Sequence, residues 1–353
     1  MTSAATLSEA YQRLHRWGPE FGGDERGDHG LTNHAPMALE VICRRGLQVN
    51  VDRWVDRYVR RLMDLPTART PITSWSSALG TGRSRLGDWT TYFTGELAER
   101  PWRDVLATWW PRLLPGIVAG SSHGVIRVGH AVRTLLAGEQ TEPAIAELGH
   151  GLAFWAARFQ PLPSGGEPAG QLSAAATFLA VPRLADQSGF VAYRLGRLAQ
   201  LPSWPQTLRG LCPPATPADV PAGLADLVDV ATVRYQLHGA ASPVLLVHTA
   251  TAPNAVRHTL PALPESLWPQ SFTAAWTAAA AITACYAPLD AIDPVRDKLT
   301  GPDPIGDALA TAARHGDEHV LKFTDTAVEV YQRTGDPAAL TAAQHAAHLI
   351  DPT

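Results

Sequence analysis

The side chains able to do chemistry in this sequence are its 13 histidines and one of its lysines. Three histidines fall where a helix is expected to begin: His34 in TNHAPM, His123 in SSHGVIRVGH and His319 in GDEHVLKF. The positive end of a helix dipole disfavours a cation at such positions, and neutral imidazole is the form that binds metal ions. A fourth, His248, sits in ASPVLLVHTATAPNAV, a stretch without charge that predicts a buried ring. Pattern alone leaves each of the four open as a hydrogen-bonded core or capping residue or as a metal ligand, because spacing in sequence does not show which rings meet in space.

Lys322 is the second signal. The chain uses arginine at 27 of its 29 basic positions, so a lysine three residues after His319, among Val320, Leu321 and Phe323, stands where an arginine would be usual. A spacing of three puts His319 and Lys322 on one helix face. A buried lysine can lose its proton and react as an amine, which arginine cannot do. The competing reading is a solvated Glu318–Lys322 ion pair at i, i+4.

Four segments in order, NHAPM at 33–37, HGVIRVGHA at 123–131, LLVHTATAPNAVRHTLPAL at 245–263 and DEHVLKFTDTAVEVY at 317–331, make the sequence similar to the questin oxidase family. That family opens anthraquinone rings oxidatively in fungal polyketide pathways. It was first described as Baeyer–Villiger-like, and a member is assigned a mononuclear non-haem iron held by four histidines and a carboxylated lysine. Carried over residue by residue, the resemblance implies His34, His123, His248 and His319 as catalytic imidazole ligands of Fe(II), with Lys322, as a CO2-derived carbamate, the oxygen ligand. It implies an oxygenase of secondary metabolism that uses O2 to cleave or oxidise a polycyclic, anthraquinone-like substrate. Two alternatives stand beside it: an NADPH-dependent Baeyer–Villiger-type monooxygenase, and a non-catalytic helical binding protein with structural histidines. The chain departs from the fungal pattern in its bacterial-looking 33–37 and 123–131 segments and in three further candidates, His130, His150 and His258. His130, seven residues after His123, shares its helix face and is placed to support a ligand or touch substrate. His258 lies ten after His248, across Pro253. His345 and His348, at i, i+3, read as exposed and are left out of the metal set.

Other motifs fail. Gly80, Gly82 and Gly87 form GxGxxxxG without a preceding strand, which is not the dinucleotide fingerprint, and there is neither a phosphate-binding GxxxxGK[ST] loop nor a GxSxG elbow. His315-Gly-Asp-Glu-His319 matches the HxxEH peptidase string, but Gly316 should end one helix and Asp317 cap the next. The same residues match the HxD half of a two-histidine, one-carboxylate iron site, which is usually presented by a sheet barrel. Binuclear amidohydrolases also use a carboxylated lysine, yet no two histidines here are spaced HxH.

The elements that must hold these residues are helical. Apolar residues recur at helical spacing, as in Leu39, Ile42, Cys43 and Leu47 or Leu148, Leu152, Trp155 and Phe159, while alternating runs and hairpin turns are missing. The expectation is an all-α protein: one large multi-helix domain over 1–353, with the metal site buried among helices. Residues 161–170 and 212–223, rich in Pro and Gly, read as lids or connectors, and no fixed-period repeat is present. Eleven tryptophans offer flat apolar surface for an aromatic ligand, most of it expected in the core. A net charge of −4 without a long basic run argues against nucleic acid. Three scattered cysteines exclude a disulfide framework and a thiolate zinc site. Residues 1–17 read as a polar helix, and the charge-free stretch 266–289, carrying Pro269 and Pro288, reads as a buried helix and not a membrane span. A cytoplasmic protein with no membrane partner is therefore expected.

Overall fold

The computed structural model describes residues 3–20, 32–82, 85–163, 165–290 and 301–353. It is 70% helical, its strands forming one two-stranded sheet among the described residues, so the all-α class holds. Contacts gather into two compact units, Met1–Pro161 with His258–Pro264, and Leu162–Arg257 with Glu265–Thr353.

In the first unit the tryptophans form the core. Helix Leu86–Glu99 contributes Trp89 and Phe93, and helix Trp102–Leu113 contributes Trp109. The three rings pack at centroid separations of 4.8 to 5.8 Å, mostly edge to face, as the charge distribution of aromatic rings favours. Trp155, on helix Glu142–Arg158, packs edge-on against Trp110 and donates its indole N–H to the Gly116 carbonyl at 3.0 Å. Helix His123–Leu136 approaches Glu142–Arg158 through glycines: a Cβ on Gly124 would lie 2.6 Å from the Cβ of Trp155, and one on Gly151 would lie 3.2 Å from Val128. This close approach fixes the start of the helix that His123 opens. The GxGxxxxG string has a similar role, since a Cβ on Gly80 would collide with the Phe159 carbonyl and one on Gly87 with that of Pro66.

Two acids are sealed inside this unit with their cations. Glu147 accepts from Arg127 at 2.5 and 2.8 Å, and His15 lies 3.3 Å away. Glu40, on helix Ala35–Arg44, accepts from Arg133 and His130, each at 2.8 Å. Burial alone would raise both carboxyls; the arginines and histidines outweigh it and lower each to about 2. The sheet pairs Trp17–Glu20 with Leu62–Asp64, antiparallel, Glu20 opposite Leu62.

The second unit is built on two buried helices. Trp268–Tyr286, with Pro269 in its first turn, is buried continuously over 278–286; among the described residues no helix is long and apolar enough to cross a membrane. Glu318–Thr334 is buried from Glu318 to Val328 and follows a sharp break. Helix Pro304–His315 ends at Gly316, at φ +81°, and the Asp317 side chain then accepts from the amides of His319 (2.8 Å) and Val320 (3.1 Å). His315 turns away to donate to the Ile350 carbonyl at 2.9 Å, so the HxxEH string never forms one helical face. One loop boundary moves. Residues 220–223 belong to helix Val220–His238, because Pro221 suits a first turn and Thr216 with Asp219 closes a capping box before it. Residues 169–172 are tied by backbone hydrogen bonds to 209–212, which makes that stretch a connector.

These buried groups set the acid stability. His150, stacked on His15 at 4.6 Å, is pushed down to about 3 by burial and then by its cationic neighbours. The unfolded chain therefore takes up its proton first, and stability falls as pH drops below about 6.5. The depressed Glu40 and Glu147 contribute stability above the unfolded carboxylate value of about 4.3, lost as pH falls toward 2. Urea titrations should show stability declining from pH 6.5 and steepening below about 4.5. His150→Gln should reduce the slope of the upper part without abolishing it, because His238, also pushed down to about 4, titrates in the same range.

Candidate metal centre

All four histidines named from the sequence open helices. His34 is the N-cap of Ala35–Arg44, His123 the first residue of His123–Leu136, His248 the first of His248–Thr259, and His319 the second of Glu318–Thr334. The structure adds the helix start at His248, which Pro253, inside that helix, obscures in the sequence. Each is at most 6% exposed, and so is Lys322.

In the first unit His34 and His123 face one another. Their Nε2 atoms are 2.8 Å apart and their rings stand nearly perpendicular, at 83°. Both Nδ1 atoms are already committed. His123 Nδ1 lies 2.6 Å from the Gly120 carbonyl, which can only accept, so Nδ1 carries the hydrogen. His34 Nδ1 lies 2.6 Å from Glu20, whose carboxyl burial alone would raise; the His34 imidazole, Tyr58 and Arg61 outweigh burial and hold it at about 2. A carboxylate only accepts, so here too Nδ1 donates. In neutral rings both Nε2 atoms therefore bear lone pairs, aimed at one another in a buried site, and only a cation or a shared proton between them relieves the repulsion.

The backbone around this pair is specialised. Gly120, Ser121 and Ser122 are all left-handed, with φ between +57° and +64°, and two non-glycine residues in that region cost about 1 kcal/mol or more each. The turn swings the Gly120 carbonyl onto the His123 ring. On the other side Asn33 Oδ1 accepts from the Ala35 amide, and the Tyr58 hydroxyl accepts from the His34 amide at 2.8 Å while donating to Glu20. Three buried polar atoms on residues next to these histidines in the chain, Thr32 Oγ1, Asn33 Nδ2 and Ser122 Oγ, have no hydrogen-bond partner among the described residues. Inward lone pairs together with unsatisfied polar atoms fit a bound ion and its oxygen-bearing ligands.

In the second unit His248 Nδ1 donates to the Leu245 carbonyl at 3.1 Å, which again leaves the lone pair of the neutral ring on Nε2. The His319 ring is 5.4 Å from that of His248, and its Nδ1 is 3.7 Å from Asp317 and 3.9 Å from Glu318. Ligand atoms of Asp317, Glu318 and His319, all buried, lie within 4.8 Å of one another, close enough to hold a metal ion. The Asp317 carboxyl is held well below its ordinary value: burial would raise it, and the nearby His319 imidazole together with hydrogen bonds from the His319 and Val320 amides prevails. Glu318 and Lys322 are each 2% exposed, which excludes the solvated surface pair.

The three further histidines differ. His130 is bound into the Glu40 and Arg133 cluster, and His150 is stacked on His15. His258 is half-buried, near the end of the helix that His248 opens. Glu20, Tyr58 and Arg61 are what sequence reasoning missed: they belong to no motif and lie 14 to 27 residues from His34 along the chain. Comparison with family models and with characterised proteins finds no match.

The Glu20 carboxylate orients and polarises His34, so its loss should weaken metal binding without unfolding the chain. Glu20→Gln is expected to lower the affinity of the purified protein for Fe(II) or Co(II) by about 10- to 100-fold, with an unchanged far-UV circular dichroism spectrum.

Proposed function

We propose that the chain is a non-haem iron oxygenase acting with O2 on a polycyclic aromatic compound of the anthraquinone kind. The observation that carries this reading is the His34–His123 pair, two buried imidazoles whose Nδ1 atoms are both committed as donors and whose Nε2 atoms converge. Two nitrogens each about 2.1 Å from one ion and at right angles around it lie about 3 Å apart, close to the 2.8 Å found. The family resemblance supplies the rest of the set: His248, His319 and Lys322, the last as a carbamate.

A ferrous ion so held would supply dioxygen activation toward an electron-rich ring. The chain's own residues prepare for it. Glu20 and the Gly120 and Leu245 carbonyls fix three imidazoles in the tautomer that presents Nε2. Tyr58 and Arg61 hold Glu20 as an anion. The interior position of Lys322 removes an ammonium from water, which is costly, and favours the neutral amine that combines with CO2.

Two measurements test this. Metal analysis should find one equivalent of iron per chain, lost entirely in each of the alanine variants at His34, His123, His248 and His319; two independent sites would lose only part, and full occupancy in all four would leave the histidines structural. Lys322→Arg should lose iron or oxygen consumption while folding normally. NADPH consumption stoichiometric with O2 would favour the Baeyer–Villiger reading instead.

A further inference from the structure

Within the second unit a narrow pocket combines apolar walls from Phe178, Tyr235 and Leu246 with Arg234, His238 and Thr249. Its enclosed space has room for about one water-sized group, the rest being open mouth, so it can take only the polar tip of a ligand. Arg234 donates to His238 Nε2 at 2.9 Å, so that ring is neutral with its proton on Nδ1. Thr249 spends its hydroxyl hydrogen on the Leu246 carbonyl at 2.7 Å. The remaining guanidinium N–H groups of Arg234 are the strong donors of the pocket.

A second arginine stands close by. Arg183 donates to the Val181 carbonyl, and its buried Nε has no hydrogen-bond partner among the described residues. No carboxylate among those residues offsets either guanidinium. Burial and then Arg234 push Arg183 down to about 10; burial lowers Arg234; burial followed by both arginines takes His238 down to about 4. Two half-buried like charges without an acid between them are costly unless something anionic joins them.

We propose that this pocket binds a carboxylate group, held by Arg234 with Arg183 behind it. The fork of a guanidinium matches a carboxylate, and Phe178, Tyr235 and Leu246 line the same pocket beside it. Thr249 follows His248 in the chain, and the Tyr235 ring packs 4.7 Å from that of Phe323, the neighbour of Lys322. Taken with the proposed oxygenase, on which this step rests, the pocket anchors the acid end of the substrate at Thr249, the residue after the proposed ligand His248. The anion site itself stands on the pocket alone.

The test is calorimetric titration of the full chain with benzoate, acetate and benzamide, in the presence and absence of a metal chelator, on the wild type, Arg234→Gln, Arg234→Lys and Arg183→Gln. Benzoate should bind, with or without chelator, and benzamide should not. Arg234→Gln should weaken benzoate at least about tenfold, Arg234→Lys less. The ligand-free melting temperature of Arg234→Gln should hold or rise, because the repulsion with Arg183 is relieved, whereas an arginine serving only structure would lower it. Benzoate binding well above acetate assigns the aromatic acid; equal binding assigns a free small carboxylate. Equal binding of benzamide, no binding of benzoate, or unchanged binding in both glutamine variants overturns the proposal, and none of these results bears on whether the histidines hold iron.

Discussion

If both rings are neutral, the His34 and His123 nitrogens would turn lone pairs on each other across 2.8 Å inside the protein, and a shared proton or another cation must come between them. Water would normally separate or solvate them, and here both rings are buried. The fold holds each in place from behind: Glu20 comes in on the small sheet, and the Gly120 carbonyl comes in on a left-handed turn. Closeness, burial and these committed Nδ1 atoms together favour positive charge between the rings.

Three buried acids of the first unit share one construction. Glu20, Glu40 and Glu147 are each held as anions by a histidine and an arginine together. The arginine in each cluster neutralises the carboxylate, and the histidine is thereby oriented. Glu20 differs from the other two because its histidine turns its second nitrogen toward another imidazole. The same construction thus holds two clusters internally and, in the third, turns one imidazole toward another.

Much of this was legible in the sequence because helix punctuation is local. Pro36, Gly316 and Asp317 mark helix starts by backbone preferences that need no tertiary context, so the placement of His34 and His319 could be read directly. His123 was legible through Ser121 and Ser122, although these act by adopting a left-handed turn and not by capping with their hydroxyls. Lys322 stood out by composition, yet only burial separates an interior lysine from a solvated one paired with Glu318. The role of Glu20 was not legible, since it depends on a strand pairing that joins residues more than forty positions apart. The positions around Pro221 were misread because proline and glycine density signals a loop, whereas proline in a first helical turn is favourable. The only other lysine of the sequence, Lys298, lies outside the described residues.

His123 and His248 share a property that His34 lacks: their orienting partners are main-chain carbonyls, of Gly120 and Leu245. No side-chain substitution deletes a carbonyl. A scan that replaces one residue at a time with alanine will therefore expose Glu20 and pass over the devices that aim the other two rings. What those rings cannot tolerate is a change in chain length, because one residue inserted or removed between 117 and 122, or between 243 and 247, would rotate the carbonyl away from its imidazole. These short stretches should accept no insertions or deletions, the reverse of the tolerance usual for surface turns.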